Sequence, residues 1–367
     1  MINVFGANTG EDEAARAAVA IKKGWMGMGT NVRAFEDKFS SHLGVSDFVM
    51  LDSGSNALYM AVRLLNLPVG SEVIVPSFTW VACGHAPLLA GCQVKFCDVD
   101  LDTQNVRAED LERALTPNTR AVMVVHYAGL PVRMNDIRSL GLPVIEDAAH
   151  AVDSSIGPSA CGTIGDVGIF SFDAVKNLAT PEGGGLFAAR EDAMAAAKQM
   201  RYCGIGKSGY DSKNKDRWWE YDVAYVWPKT VPNDVSAAIG LAQLERLPDL
   251  QKRRREIWDF FQTELANIPW LIRPTNPDSG TRHSYFTYFI RIVNGWRDAL
   301  ARYMMDNGVY TTLRYHPLHM NPVFASQERL PNCELLNDQG LNLPLHPAMS
   351  ENDAGKVVDL LRVIRSE

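Results

Sequence analysis

The sequence predicts an α/β fold: a large domain over residues 1–247 built on a mostly parallel sheet, and a small C-terminal α+β domain over 248–367. Three observations carry this. Short apolar runs alternate with helix-period segments through the first two-thirds of the chain, the pattern of strands joined by right-handed helical crossovers. Two of these runs end in reactive side chains: Val144-Ile145 leads into Glu146-Asp147, and Val167 to Phe172 contains Ser171 and precedes Lys176. Ligands of open α/β sheets sit outside strand ends. From about 248 the pattern changes to a basic helix, Lys252 to Arg255, followed by Trp258, Phe261 and Leu265 and by shorter mixed elements.

Each element has a local reason. Residues 7–44 read as an entry helix, a loop at Trp25 to Gly29 and a second helix with Val32, Phe35, Phe39 and Leu43 on one face. Phe48 to Leu51 is a strand, and the helix after Ser53-Gly54-Ser55-Asn56 buries Ala57, Leu58, Met60, Ala61 and Leu64. Glu72 to Pro76, Val94 to Asp100 and Ala121 to Val125 are further strands, and a helix over 133–140 returns the chain to Val144. The glycines Gly183 to Gly185 suggest a tight reversal, with a helix from Ala188 to Arg201 after it. Residues 203–225 read as a long polar and aromatic loop, much of it solvated, of a length that is usually functional or disordered. Asn233 or Asp234 caps a helix running through Leu247. Ser284 to Val293 and Thr311 to Leu313 are strands, Trp296 to Met305 a helix, and 351–365 a final helix.

Composition sets outer bounds. A chain of 367 residues is long enough for two domains and a large core. The net charge of −7 argues against a nucleic-acid partner, while local basic groups can still hold small anions. The six cysteines form no C-x-x-C pair and no zinc-spaced histidines accompany them, so they read as free thiols in a reducing compartment with no metal site. No basic and apolar leader opens the chain and no apolar run approaches about 18 residues. The expectation is a cytoplasmic protein with no membrane span.

The lysine, the acid and the hydroxyl point to pyridoxal 5'-phosphate (PLP). That cofactor needs an amine for a Schiff base, a carboxylate to hold its pyridine nitrogen protonated and donors for its phosphate. A desolvated lysine can supply the amine, a carboxylate favours the charged pyridinium, and free N–H groups at a helix start with small hydroxyl residues make an anion cradle. Lys176, Asp147 and Ser171 fill the three roles, with Gly54 and Ser55 as the cradle. Trp80, just past a strand end, can lie flat on a heterocycle. His126 at a strand end reads equally as a pocket residue and as a packed one.

The run EDAAHA (146–151), then GDVGIFSFDAVKNLATPEGGG (165–185), closely resembles the DegT/DnrJ/EryC1/StrS family of sugar aminotransferases. Further matching segments are G-W-x-G-x-G, S-G-S-x-A-L, P-S-F-T-W, Y-x-P-L-H and L-P-L-H-P, so the likeness covers roughly residues 2–360. Asp173 and Pro181 depart from the family's common His and Gly. The resemblance implies a fold type I PLP-dependent transferase, similar to aspartate aminotransferase. It makes Lys176 the Schiff-base lysine, Asp147 the partner of the pyridine nitrogen and Trp80 the ring over PLP. His150 would lie near the ring's 3-oxygen and Ser171 at the phosphate. It places Lys229 on the position that reaches the partner subunit's phosphate, and Tyr315 and His319 near the substrate. Residues 203–225 would cross the interface of a homodimer with shared active sites. The implied reaction moves an amino group from an amino acid, with L-glutamate as the expected donor, to a nucleotide-linked keto sugar, for a surface polysaccharide or a glycosylated natural product. An aminocyclitol ketone is an alternative acceptor. A PLP-dependent sugar dehydratase would replace the lysine, and a PLP-binding regulatory protein would need a DNA-binding segment that the sequence lacks.

Overall fold

The computed structural model describes residues 1–205 and 219–363. At its centre lie β1 (Val49–Leu51), β2 (Glu72–Pro76), β3 (Gln93–Cys97), β4 (Thr119–Val125), β5 (Val144–Asp147), β6 (Val167–Ser171) and β7 (Gly184–Ala188). They form one sheet in the order β1-β7-β6-β5-β4-β2-β3, in which β7 alone runs opposite to the other six. Helices cover both faces, which is why β2 and β4 are apolar beyond their first residues: Val73 to Val75 and Val122 to Val125 are all buried.

The helices before and around this sheet are α1 (Glu11–Lys22), α2 (Thr30–Leu43), α3 (Gly54–Leu64), α4 (Val81–Leu89), α5 (Ala108–Ala114), α6 (Met134–Arg138), α7 (Glu191–Met200) and α8 (Asp234–Glu264). The predicted face of α2 is buried, and the Phe39 ring packs 4.7–5.2 Å from Phe48, Phe170 and Phe172. Asp234 ties α2 to α8 by accepting the Asn31 and Val32 N–H groups at 2.9 and 3.1 Å, while Asn233 caps α8 itself through Ser236 N–H at 2.8 Å.

Beyond α8 the chain adds β8 (Leu271–Ile272), β9 (Tyr288–Ile292) and β10 (Gly340–Leu343), an antiparallel sheet in the order β8-β9-β10. With α9 (Arg297–Asp306), α10 (Pro331–Gln339) and α11 (Glu351–Val363) it encloses a second apolar cluster that includes Trp258, Phe261, Tyr288 and Leu361.

Three expectations are corrected. The glycine triplet is not a reversal: Gly184 and Gly185 lie in β7, paired with Leu51 and Met50 on one side and with Ser171 and Phe170 on the other. They are there for close approach. A Cβ on Gly184 would meet Gly54 N at 2.3 Å, and one on Gly185 would meet the Phe48 ring at 2.4 Å. Second, α8 is one helix of 31 residues, with Pro248 inside it, so the pattern change at 248 falls within a helix and not at a break. The apolar stripe continues through Leu247, Leu250, Ile257 and Phe261, and proline keeps a helical φ while giving up one N–H. Third, Thr311 to Leu313 is no strand; Thr312 makes a single bridge to Asn342.

Among the described residues no helix is long and apolar enough to cross a membrane, and no cluster of three or more His, Cys, Asp or Glu side chains is placed to hold a metal.

Candidate active site

The C-terminal ends of β1, β5 and β6 and the first turn of α3 meet around a cavity of about 350 Å³. Parallel register brings this about: Asp147, the last residue of β5, pairs with Val125 at the end of β4 and with Ile169 in β6. Asp147 is buried and lines the cavity. One of its oxygens accepts Ala149 N–H at 2.9 Å and the other accepts the Cys83 thiol at 3.1 Å. Burial, then the Asp147 charge, pushes that thiol well above its usual range, so it stays protonated and donates. Thr79 supports it at 3.3 Å.

Lys176 lies on the same cavity, only 9% exposed, with its amine 4.9 Å above the centre of the Phe286 ring. Burial, then the Arg314 charge, lowers its pKa to about 8, with Asp147 and Asp173 opposing. Such an amine reaches its neutral, nucleophilic form near physiological pH.

Ser53, Gly54, Ser55 and Ser171 line one end. Ser53 caps α3 by accepting Asn56 N–H at 3.2 Å, which leaves the other N–H groups of the first turn available to an anion. Gly54 cannot carry a side chain here, since a Cβ would lie 2.8 Å from Ser171 Cβ. The opposite wall comes from further along the chain. His150 stacks 4.0 Å from Phe286 and its Nε2 lies 2.9 Å from the Tyr315 hydroxyl, while its Nδ1 is buried without a partner. Burial, then Lys176 and Arg314, holds that imidazole neutral, well below its usual pKa. Trp80, 52% exposed, is 5.7 Å from Tyr315 at the cavity edge.

The chain matches the family model over residues 7–362. It belongs to the DegT/DnrJ/EryC1/StrS aminotransferase family. It is 39% identical to the dTDP-4-dehydro-2,3,6-trideoxy-D-glucose 4-aminotransferase of Saccharopolyspora spinosa, over 98% of this chain and 95% of that one. It is 33% identical to the spore coat polysaccharide biosynthesis protein SpsC of Bacillus subtilis, over 97% and 95%. Its fold matches the aminotransferase TlmJ of Streptoalloteichus hindustanus with a TM-score of 0.93 at 38% identity, covering 99% and 98%. The protein is thus an aminotransferase of fold type I, and its cofactor is PLP. The cavity suits that cofactor on its own terms. It offers a desolvated amine, a carboxylate fixed on one edge, a hydroxyl-lined helix start that excludes side-chain carbon, and a buried imidazole nitrogen still lacking a partner.

The structure therefore brings together Lys176, Asp147, Gly54, Ser55, Trp80, His150, Ser171 and Tyr315. Two expected residues lie outside the cavity lining. His319 is buried, with Nδ1 2.7 Å from Ser77 Oγ, while its Nε2 lies 3.6 Å from Glu334 and has no hydrogen-bond partner. Lys229 is exposed, its amine 5.7 Å from the centre of the Tyr202 ring. Most of the loop expected to cross an interface, 206–218, lies outside the described residues. His126 is a packed residue: Val132 N–H donates to its Nδ1 at 3.0 Å and its Nε2 donates to Glu146 at 2.9 Å. Glu146 in turn accepts the N–H groups of Gly162, Ile164 and Gly165. Sequence reading missed Cys83 and Arg314. Neither stands in a motif, and each acquires its place only from chain segments brought together by the fold.

Proposed function

We propose that this aminotransferase moves an amino group from an α-amino acid, with L-glutamate as the expected donor, to the keto group of a nucleotide-linked sugar. The observation that carries the reading is Lys176 and Asp147 on one cavity at the strand ends, in a chain 39% identical to an enzyme named for a dTDP-linked keto sugar. Lys176 itself speaks against the dehydratase alternative. The product would serve a surface polysaccharide or a glycosylated natural product; the name of the Bacillus subtilis relative supports the first of these.

Bound in the cavity, PLP supplies an electron sink for the carbanion formed when the donor's α-carbon loses its proton. The protein's residues do the rest. Asp147, steadied from two sides by Ala149 and Cys83, holds a proton on the pyridine nitrogen. Ser171, Ser55 and the α3 N–H groups hold the phosphate, and His150 offers its free Nδ1 edge. The Lys176 amine takes the proton from the donor's α-carbon and redelivers it, acting as base and then acid. The keto acid leaves before the keto sugar enters, so the kinetics are ping-pong.

The homodimer with shared sites, in which Lys229 of the partner subunit reaches the phosphate, belongs to this proposal. It is supported by the exposure of Lys229 and of a large apolar set, Trp25, Met26, Tyr221 and Val226 among them. A reducing, cytoplasmic setting is supported by six unpaired thiols.

The test is to incubate the PLP-loaded protein with L-glutamate and a panel of dTDP- and UDP-linked keto sugars, with mass spectrometry of the products. An amino sugar and 2-oxoglutarate are expected from the wild type and neither from Lys176→Ala. Full turnover by Lys176→Ala would refute the assignment, and product from aminocyclitol ketones alone would replace the acceptor.

A further inference from the structure

Within the basic run on α8, Arg254 is 1% exposed, while Lys252 and Arg255 face solvent. Among the described residues no carboxylate pairs with it, and burial lowers its pKa to about 9. Its partners are backbone carbonyls: those of Leu345, Phe286 and Tyr285 accept from Nη1 at 3.0, 3.4 and 3.5 Å. Two of these belong to one turn, and that turn is held against its own preference. Tyr285 has a φ of 50°, a left-handed conformation that a bulky residue keeps only where its surroundings over-determine it. His283, buried and so kept neutral, accepts Tyr285 N–H on Nδ1 at 2.6 Å. The Ser284 carbonyl accepts Gln251 Nε2 at 3.0 Å and Asn177 Nδ2 at 2.6 Å. Phe286 N–H donates to the Ala128 carbonyl at 2.9 Å. Gln251 and Arg254 are three positions apart, on one face of α8, and Asn177 is the neighbour of Lys176. The turn delivers the Phe286 ring to the reactive groups. Its centre lies 4.0 Å from the His150 ring and 4.9 Å from the Lys176 amine, with Phe5 stacked on it at 5.2 Å.

We propose that Arg254 is a positioning residue for the chemistry at Lys176, acting through Phe286. This rests on Lys176 as the reactive lysine of the transamination reading above. Once the donor has displaced it, the Lys176 amine must stay within reach of the donor's α-carbon in both its protonation states. An aromatic face close by favours its ammonium form, and the same ring sets the plane of His150 by stacking. Both contacts depend on the Tyr285 turn, because a relaxation of its backbone toward ordinary angles would swing Phe286 away. Arg254 opposes that relaxation by holding the carbonyls of Tyr285 and Phe286 together with that of Leu345. A neutral chain of similar length at 254 would fill the space and leave those carbonyls without this donor in the interior.

The test compares wild type, Arg254→Met, Arg254→Lys, Phe286→Leu and the double variant Arg254→Met with Phe286→Leu, with a melting temperature for each. PLP is added to the cofactor-free proteins and the growth of the lysine–cofactor absorbance band is timed. L-Glutamate is then added at a series of concentrations, and the change in cofactor absorbance gives a maximal rate and a half-saturating concentration. Arg254→Met and Phe286→Leu are each expected to lower the maximal rate by about 10- to 100-fold, to leave the half-saturating concentration nearly unchanged and to slow PLP capture. The double variant is expected to be no slower than Phe286→Leu alone, since both changes act through one ring. Arg254→Lys recovers part of the rate. Ile137→Ala, in a separate apolar cluster, is expected to lower the melting temperature and slow neither process. Multiplied losses in the double variant, wild-type rates in Arg254→Met, or equal slowing in Ile137→Ala would overturn the proposal. Should Arg254→Met fail to fold, Arg254→Lys carries the same comparison, alone and with Phe286→Leu. Appearance of the lysine–cofactor band in Lys176→Ala would instead overturn the lysine assignment itself, an outcome that the Arg254 variants do not produce.

Discussion

At the scale of single residues, the chemistry depends on how Lys176 and Asp147 are set apart from solvent. Lys176 has the clearer thermodynamic consequence. In the protein without cofactor its pKa is lowered from 10.5 to about 8, by burial first and by Arg314 second. The unfolded chain therefore binds more protons than the folded one between about pH 8 and 10.5, so this group makes stability rise with pH across that window and exerts its full cost below it. Lys176→Met removes the buried charge. The cofactor-free variant is expected to be more stable than wild type at pH 7, by up to about 3 kcal/mol, with the difference closing as pH approaches 10.5. Urea unfolding at pH 7, 9 and 10 measures it, and a constant difference would contradict the argument. Both reactive residues were legible in the sequence because Asp147 ends one apolar run and Lys176 follows another, within segments that resemble the family's motifs. Cys83 was not: its role is a 3.1 Å contact with Asp147, 64 positions later in the chain, and a cysteine among apolar residues carries no sign of it.

At the scale of elements, the parallel strands were legible because burial on both faces makes them uninterrupted apolar runs. β7 was not, since GGGLFA begins with three glycines that ordinarily mark a turn. Its register explains them. Gly184 lies between Leu51 and Ser171 in the sheet and directly against the Ser53-Gly54 backbone. Gly184→Ala would place a methyl carbon 2.3 Å from Gly54 N and 2.4 Å from Ser53 C, backbone atoms that no rotamer change can move. The expected result is a loss of about 1–3 kcal/mol and weaker retention of PLP, because the displaced segment edges the cavity. Gly355 in α11 has nothing within 4 Å of its Cβ position, and Gly355→Ala is expected to stabilise by about 0.4–1 kcal/mol. Thermal unfolding and dialysis of the two variants compare them directly. β10 escaped the sequence for another reason: four residues, GLNL, are too short to show a period. α8 was divided in two where the pattern turns basic near 248, although its buried stripe runs through. A two-domain division near 248 remains our proposal, supported by a separate apolar cluster drawn largely from residues 257–361.

At the scale of the whole molecule, the proposed shared-site homodimer is tested through Lys229, since most of the 203–225 loop lies outside the described residues. Lys229 stands outside its own cavity, so in the shared-site homodimer its absence damages the neighbour's site. Lys176→Ala damages its own. Mixing Lys176→Ala with Lys229→Glu and allowing subunits to exchange is therefore expected to restore activity, since one of the two sites in each hybrid carries both defects and the other neither. Sedimentation at falling concentration should show activity lost as dimers dissociate. No recovery on mixing, with exchange verified, would count against sharing. This level was least legible in the sequence, because exposed apolar residues such as Val226, 99% exposed, do not name a partner.

His150 joins distant parts of the chain, stacked on Phe286 and touching Tyr315, 165 positions away. A ligand seated against that imidazole therefore clasps the C-terminal third to the central sheet. Coenzyme binding is therefore expected to slow proteolysis at that seam, a difference that limited digestion of the protein with and without PLP would measure.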